Sequence, residues 1–313
     1  MAAPAGRAHG SLLSTSTDRA LGALYGLAIG DALGMPTQGL DRDRAHAVLG
    51  SPADFRDAGD NAIARGLPAG SVTDDTMQCV LIAELLVRGN GEIEPRALAD
   101  ALLNWEGEMI RRGRGDLLGP STRRALAALS AGEDPSQTGR EGRTNGAAMR
   151  ITPVGIANRL DRLLDAVVAA DRVTHDTAIA HAGAAVVATV VSAGVDGATL
   201  DEAAQPAIRA AGHFGFAELF EQATVLGTGV ETAESVPTAF AIARSCHGDP
   251  WRACTTAAAL GGDTDTIAAM AGAMTGACTG LSKLPPAAVR KVRVVNDLDF
   301  EPIVARLLAL RDG

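Results

Sequence analysis

The chain has 313 residues, of which 47% are hydrophobic, 21% charged and only 3% aromatic. That length can bury a sizeable core, and an apolar fraction drawn mostly from Ala, Leu, Val and Gly suits closely packed helices better than a β-sandwich. The net charge of −9 weighs against a general nucleic-acid binder, because neutralising phosphates takes a basic surface, although a local pocket could still hold a phosphorylated small ligand.

Residues 1–16 are rich in Ala, Gly and Ser and have no apolar h-region, so a disordered extension is expected there and not a signal peptide. Thr17-Asp18 then caps a helix from Arg19 to Leu33, with Leu21, Leu24, Leu27 and Ala28 on one stripe. Pro36 keeps it from continuing, and 38–72 reads as a long irregular segment. Helices are expected over 74–88 and 94–109, then a Gly/Arg-rich loop over 111–120. Ser121 is expected to cap a helix ending at Leu129, followed by a polar loop over 131–146. Helical spacing resumes over 163–173, 176–195, 200–211, 216–226 and 236–245. A last helix follows Asp263, with Ala268, Gly272, Gly276 and Gly280 four apart on one face, a pattern that lets another backbone approach closely.

The most apolar stretch, Ala178–Val195, is Ala-rich and interrupted by His181 and Gly183, which predicts a buried helix and no membrane span. Cys79, Cys246, Cys254 and Cys278 lack CxxC spacing and read as core residues in a reducing compartment, so a cytoplasmic location is expected. No alternation is long enough for a strand and no linker divides the chain. The expectation is one all-α domain over 17–313.

Two acidic tetrads stand out, Thr73-Asp74-Asp75-Thr76 and Asp263-Thr264-Asp265-Thr266, each after a Gly-containing turn and before an apolar helical run. Helix capping needs only one such side chain. Two Asp and two Thr at each of two helix starts crowd like charges, which is costly unless a cation compensates. Hard oxygen donors of this kind suit Mg²⁺ or Mn²⁺. Asp31, between Gly30 and Ala32, reads equally as a turn former near a helix end or as a carboxylate supporting the same site. Gly142-Arg143-Thr144-Asn145-Gly146 reads as an ordinary turn or as a phosphate-cradling loop at a helix start. His175 either caps and packs or contacts a ligand, and His181 is expected in the core. The P-loop, G-x-S-x-G and H-E-x-x-H motifs are absent.

In combination these residues resemble the ADP-ribosylglycohydrolase family, from about Leu21 to Ala277. The motifs, in the family's order, are Gly26 through Gly34, Thr73 through Met77, Asn145 through Arg150 and Gly261 through Thr266. The resemblance implies an all-α fold around a central cleft holding two Mg²⁺ or Mn²⁺. The ligands would be Thr73, Asp74, Asp75, Asp263, Asp265 and Thr266, with Asp74 or Asp75 as the catalytic base. Asp31, Gly142, Arg143, Thr144, Asn145, Gly146 and His175 would surround the substrate. The implied activity is hydrolysis of an ADP-ribosyl N- or O-glycosidic bond, on a modified protein side chain or a small molecule. A smaller riboside as substrate, or a non-catalytic ligand-binding relative, are the alternatives. Three features depart from the family pattern. Gln38 stands where many relatives have glutamate, Arg143-Thr144 replaces the glycine common before Asn-Gly, and few aromatics beyond Tyr25 and Trp105 are at hand to stack an adenine.

Overall fold

The computed structural model describes residues 13–51, 53–113 and 118–313. Among these the chain forms helices throughout, and the only β-type pairing is an isolated antiparallel bridge between Thr144 and Glu231. The helices in the first half are α1 (Thr15–Gly34), α2 (Arg42–Leu49), α3 (Asp74–Arg88), α4 (Pro95–Arg111), α5 (Pro120–Ser130), α6 (Gly146–Met149), α7 (Thr152–Ala157) and α8 (Leu163–Asp171). The second half adds α9 (Ala178–Val195), α10 (Leu200–His213), α11 (Ala217–Glu221), α12 (Thr232–Ser245), α13 (Pro250–Ala258), α14 (Thr264–Thr279), α15 (Pro286–Asn296) and α16 (Glu301–Asp312). A 3-10 turn, Leu281–Lys283, follows α14.

The organising contact is between α1 and α14. From Ala20 to Gly34 every residue of α1 is buried, the mark of a helix enclosed on all sides. Its glycines recur every fourth residue, and each meets the main chain of α14. A methyl group at Gly22, Gly26 or Gly30 would overlap the carbonyl of Gly276, Gly272 or Ala268, and one at Gly34 would overlap the main chain at Asp265. Each step of four along α1 is thus matched by a step of four backwards along α14, an antiparallel register of two glycine rows. The small-residue face of α14 serves internal packing. Gly280 has a different duty, ending α14 at φ 95°.

This register brings the end of α1 against the start of α14, where hydroxyls fasten it. Thr37 Oγ1 lies 2.8 Å from Ala258 O and 2.9 Å from Thr264 Oγ1, and Thr264 Oγ1 donates to Gly34 O at 3.0 Å. Helix α9, nearly all buried, packs beside this pair as the expected core helix.

Several boundaries differ from expectation for local reasons. Helix α1 starts at Thr15, because Ser14 accepts from the Thr17 amide, so only residues 1–12 of the expected extension fall outside the described residues. Helix α2 interrupts the segment expected to be irregular, with Asp41 accepting from the Arg44 amide as its cap. Pro120 opens α5 one turn position before Ser121, whose hydroxyl is thereby free for the neighbouring loop. Helix α11 covers only Ala217–Glu221 of the expected 216–226, while α12 begins four residues early at Thr232.

Candidate active site

Three elements converge on one floor: the last turn of α1, the start of α3 and the start of α14. Both tetrads enter from turns that require glycine, with φ of 90° at Gly70 and 78° and 79° at Gly261 and Gly262. The second turn is held by Gly39 N donating to Gly262 O at 2.7 Å and Gly262 N donating to Leu40 O at 2.8 Å.

Asp31 is wholly buried at the centre of this floor. It accepts from the Thr73 amide at 3.0 Å, the Thr73 hydroxyl at 2.9 Å, the Thr76 amide at 3.1 Å and the Thr76 hydroxyl at 2.5 Å. Burial pushes its carboxyl up to about 6, with the four hydrogen bonds opposing. The Thr73 hydroxyl is also 2.9 Å from Asp75 Oδ2. One hydroxyl proton cannot serve both carboxylates at once.

Asp31, Asp75 and Asp265 each offer an oxygen within 4.8 Å of the others. Asp75 Oδ1 and Asp265 Oδ1 are buried with no hydrogen-bond partner among the described residues. Burial first, then the charge of neighbouring carboxylates, holds Asp74, Asp75 and Asp265 well above the usual range. Buried carboxylate oxygens that repel one another and find no protein donor are where a bound cation would relieve the cost. An all-oxygen donor set of carboxylates and threonine hydroxyls fits a hard divalent cation.

Above the floor opens a cleft of about 200 Å³. Asp74, Asp263, Asp265 and Thr266 form its acidic side, with Thr144, Asn145 and Gly146 also lining it, while Thr73, Asp75 and Asp31 lie beneath. Asn145 joins the walls, its amide nitrogen donating to Asp263 Oδ2 at 2.6 Å and lying 2.9 Å from Ser235 Oγ. Gly142 and Gly146 are in the loop because a Cβ on either would overlap His175.

Four residues expected around the substrate do not line the cleft, the first being Asp31 beneath its floor. His175 is fully buried behind the loop, with Nε2 3.1 Å from Thr144 Oγ1. Gly142 is behind it too, and Arg143 is exposed, its carbonyl accepting from the Thr232 amide at 3.1 Å. Tyr25 is not an adenine platform: it is buried against Phe300 at 4.8 Å between ring centres and donates to Glu301. Trp105 packs on the core away from the cleft, and no described lining residue is aromatic. The apolar wall consists of Ile63, Leu118, Pro120, Met149 and Val230, with Gln38 and Thr122 among them. No spacing rule flags these positions, since they come from unrelated loops and helix ends.

A profile of the ADP-ribosylglycohydrolase family matches residues 13–313. YegU of Escherichia coli (strain K12) is 34% identical over 94% of this chain and 98% of its own length. ADP-ribosylarginine hydrolase Tri1 of Pseudomonas putida (strain GB-1) is 33% identical over 88% of this chain and 74% of its own. A solved structure described as an ADP-ribosylglycohydrolase-related protein complex superposes with a TM-score of 0.78 at 29% identity, covering 95% of this chain and 99% of that one. With match and architecture both running the length of the described chain, the protein belongs to the ADP-ribosylglycohydrolase family.

Proposed function

We propose that this chain is a metal-dependent hydrolase that cleaves an ADP-ribosyl N- or O-glycosidic bond, releasing ADP-ribose from a modified protein side chain or a small molecule. The observation that carries the proposal is the floor of the cleft, where two tetrads and Asp31 leave carboxylate oxygens buried and unpartnered. Membership of the family and the activity for which the relative Tri1 is named support the choice of substrate class.

Thr73, Asp74, Asp75, Asp263, Asp265 and Thr266 would hold two Mg²⁺ or Mn²⁺. Such a pair, when bound, orients a ribose diol and makes a water more acidic. The chain's own residues divide the remaining work. Asp75 is 1% exposed and below the floor, whereas Asp74 lines the cleft, so Asp74 is the carboxylate placed to take the water's proton. Gln78 Nε2 donates to Asp74 Oδ2 at 3.3 Å and orients it. Gln38 lines the same cleft but its amide cannot accept a proton, which leaves base duty with Asp74. Asn145 steadies Asp263, and the apolar wall excludes bulk water from the bond being broken.

The test is incubation with ADP-ribosyl-arginine, with and without Mg²⁺ or Mn²⁺, following free ADP-ribose. Metal-dependent release, abolished by Asp263→Asn, is the expected result. No release from protein shown to bind the metal would shift the substrate to simple nucleosides, a reading favoured by the lack of aromatics among the described lining residues.

A further inference from the structure

Behind the cleft runs a buried line of polar side chains joining its acidic side to its far wall. Arg150, at the end of α6, is fully buried. Its Nη1 donates to Gln78 Oε1 at 3.0 Å and its Nη2 to Thr174 Oγ1 at 2.6 Å. Thr174 Oγ1 lies 2.7 Å from His175 Nδ1, and His175 Nε2 lies 3.1 Å from Thr144 Oγ1. Of Thr174, His175 and Thr144, only Thr144 reaches the cleft.

The direction of this line follows from which groups can donate. A guanidinium only donates, so Thr174 Oγ1 accepts from Arg150. Thr174 is itself fully buried, and the only acceptor within reach of its hydroxyl proton among the described residues is His175 Nδ1. The reverse direction would leave that proton buried without a partner, a costly arrangement. Burial, reinforced by the charges of Arg150 and His181, keeps His175 neutral. A neutral imidazole that accepts at Nδ1 donates from Nε2, here to Thr144 Oγ1. Thr144 Oγ1 is thereby an acceptor towards the protein, and its own proton is left for whatever occupies the cleft.

We infer that Thr144 is a specificity-determining residue, presenting a hydroxyl donor of fixed polarity to an acceptor oxygen of the ligand, phosphoryl or ribosyl. Thr174 and His175 are positioning residues that impose the polarity from behind, with Arg150 as its origin. The ligand's identity rests on the proposed function; the polarity rests on the buried line alone.

Calorimetric titration of the metal-loaded full chain with ADP-ribose and with adenosine tests this, with melting temperatures checking that each variant folds. Thr144→Val keeps the side-chain shape without the donor and is expected to weaken ADP-ribose binding about tenfold, the scale of one hydrogen bond to a charged or strongly polar oxygen. Thr144→Ser restores the donor and is expected to bind within about twofold of wild type. Thr174→Val, remote from the ligand, is expected to weaken binding in the same direction. A loss confined to ADP-ribose assigns the acceptor to the diphosphate or the terminal ribose; a parallel loss with adenosine assigns it to the adenosine ribose. Undiminished binding by Thr144→Val, or a Thr144→Ser variant as weak as the valine, overturns the inference. A wild-type chain that binds no ADP-ribose overturns the proposed function instead, and the inference falls with it.

Discussion

Gly26→Ala sets two rules against each other with opposite signs. By helix propensity alone, alanine in mid-helix is better than glycine by about 1 kcal/mol. In the fold, the new methyl would overlap both the carbonyl oxygen and the carbonyl carbon of Gly272, and a methyl on Gly272 would in turn overlap Gly26 O. The opposing atoms are mainly backbone in the middle of a buried helix, so no side chain can swing aside and the two helices must part. Overpacking a core by one carbon costs about 1–3 kcal/mol, and backbone against backbone belongs at the upper end. Packing therefore outweighs propensity, leaving a net loss of about 2 kcal/mol. Gly107 in α4 provides the control, since a Cβ there meets only Arg111 Nη1 at an ordinary 3.5 Å. Gly107→Ala is expected to gain stability. Urea unfolding followed by circular dichroism, read as midpoint shifts at unchanged slope, compares the two. A Gly26→Ala protein as stable as the parent would refute the reasoning, because the register of α1 and α14 would then not depend on the missing side chain.

Adding Mg²⁺ or Mn²⁺ to metal-stripped protein is expected to raise its melting temperature, since the cage exists only in the folded chain. Asp265→Asn should remove most of that rise in the same melt, and a full rise in the variant would rule Asp265 out as a ligand. Arg311, buried in α16, donates to the carbonyls of Gly155, Ile156, Asn158 and Ser192 at the ends of α7 and α9, and pairs with the half-exposed Asp196. Asn158 O keeps the Ser192 hydroxyl and Ser192 O keeps the Asp196 amide, so Arg311→Met removes its donor chiefly from Gly155 and Ile156 and is expected to cost about 2–4 kcal/mol, little of it from the screened pair; a change below about 1 kcal/mol by urea unfolding would contradict it. Burial opposes charge on His181, but the hydrogen bonds and charges of Asp171 and Asp176 prevail and raise it above the usual histidine range. A raised folded value means its contribution is complete below the unfolded histidine value and is lost as pH rises through the folded one. Melting temperature should therefore fall across that window in the parent and fall less in His181→Gln; parallel profiles would exclude the histidine as the cause.

The tetrads were legible because each combines a glycine turn, helix-capping chemistry and a surplus of carboxylates that capping does not need. Their meeting was not, since it depends on the glycine row of α1, where the leucine stripe is the louder signal and the helix proves buried on every face. Helices α13, α15 and α16 have no counterpart among the expected helices although each carries proline in its first turn, the signature of a helix start. Arg150 and Arg311 could not be placed at all: arginine in an exposed position and arginine capping buried carbonyls look alike in a sequence. His175 is visible as an unusual residue at a helix start, but whether it faces the ligand or supports Thr144 is set by two glycines, Gly142 lying against the main chain at Thr174 and His175 and Gly146 against the ring.

The α1–α14 register also bears on how the chain is made. Its two halves are joined across 227 residues, as the Thr37–Thr264 hydrogen bond records. At ordinary rates of synthesis the second half leaves the ribosome roughly ten to forty-five seconds after the first. Through that interval the glycine face of α1 lacks α14, and Asp31 has only the first tetrad beside it. The acidic floor is therefore complete only once the second tetrad has followed the first out of the ribosome.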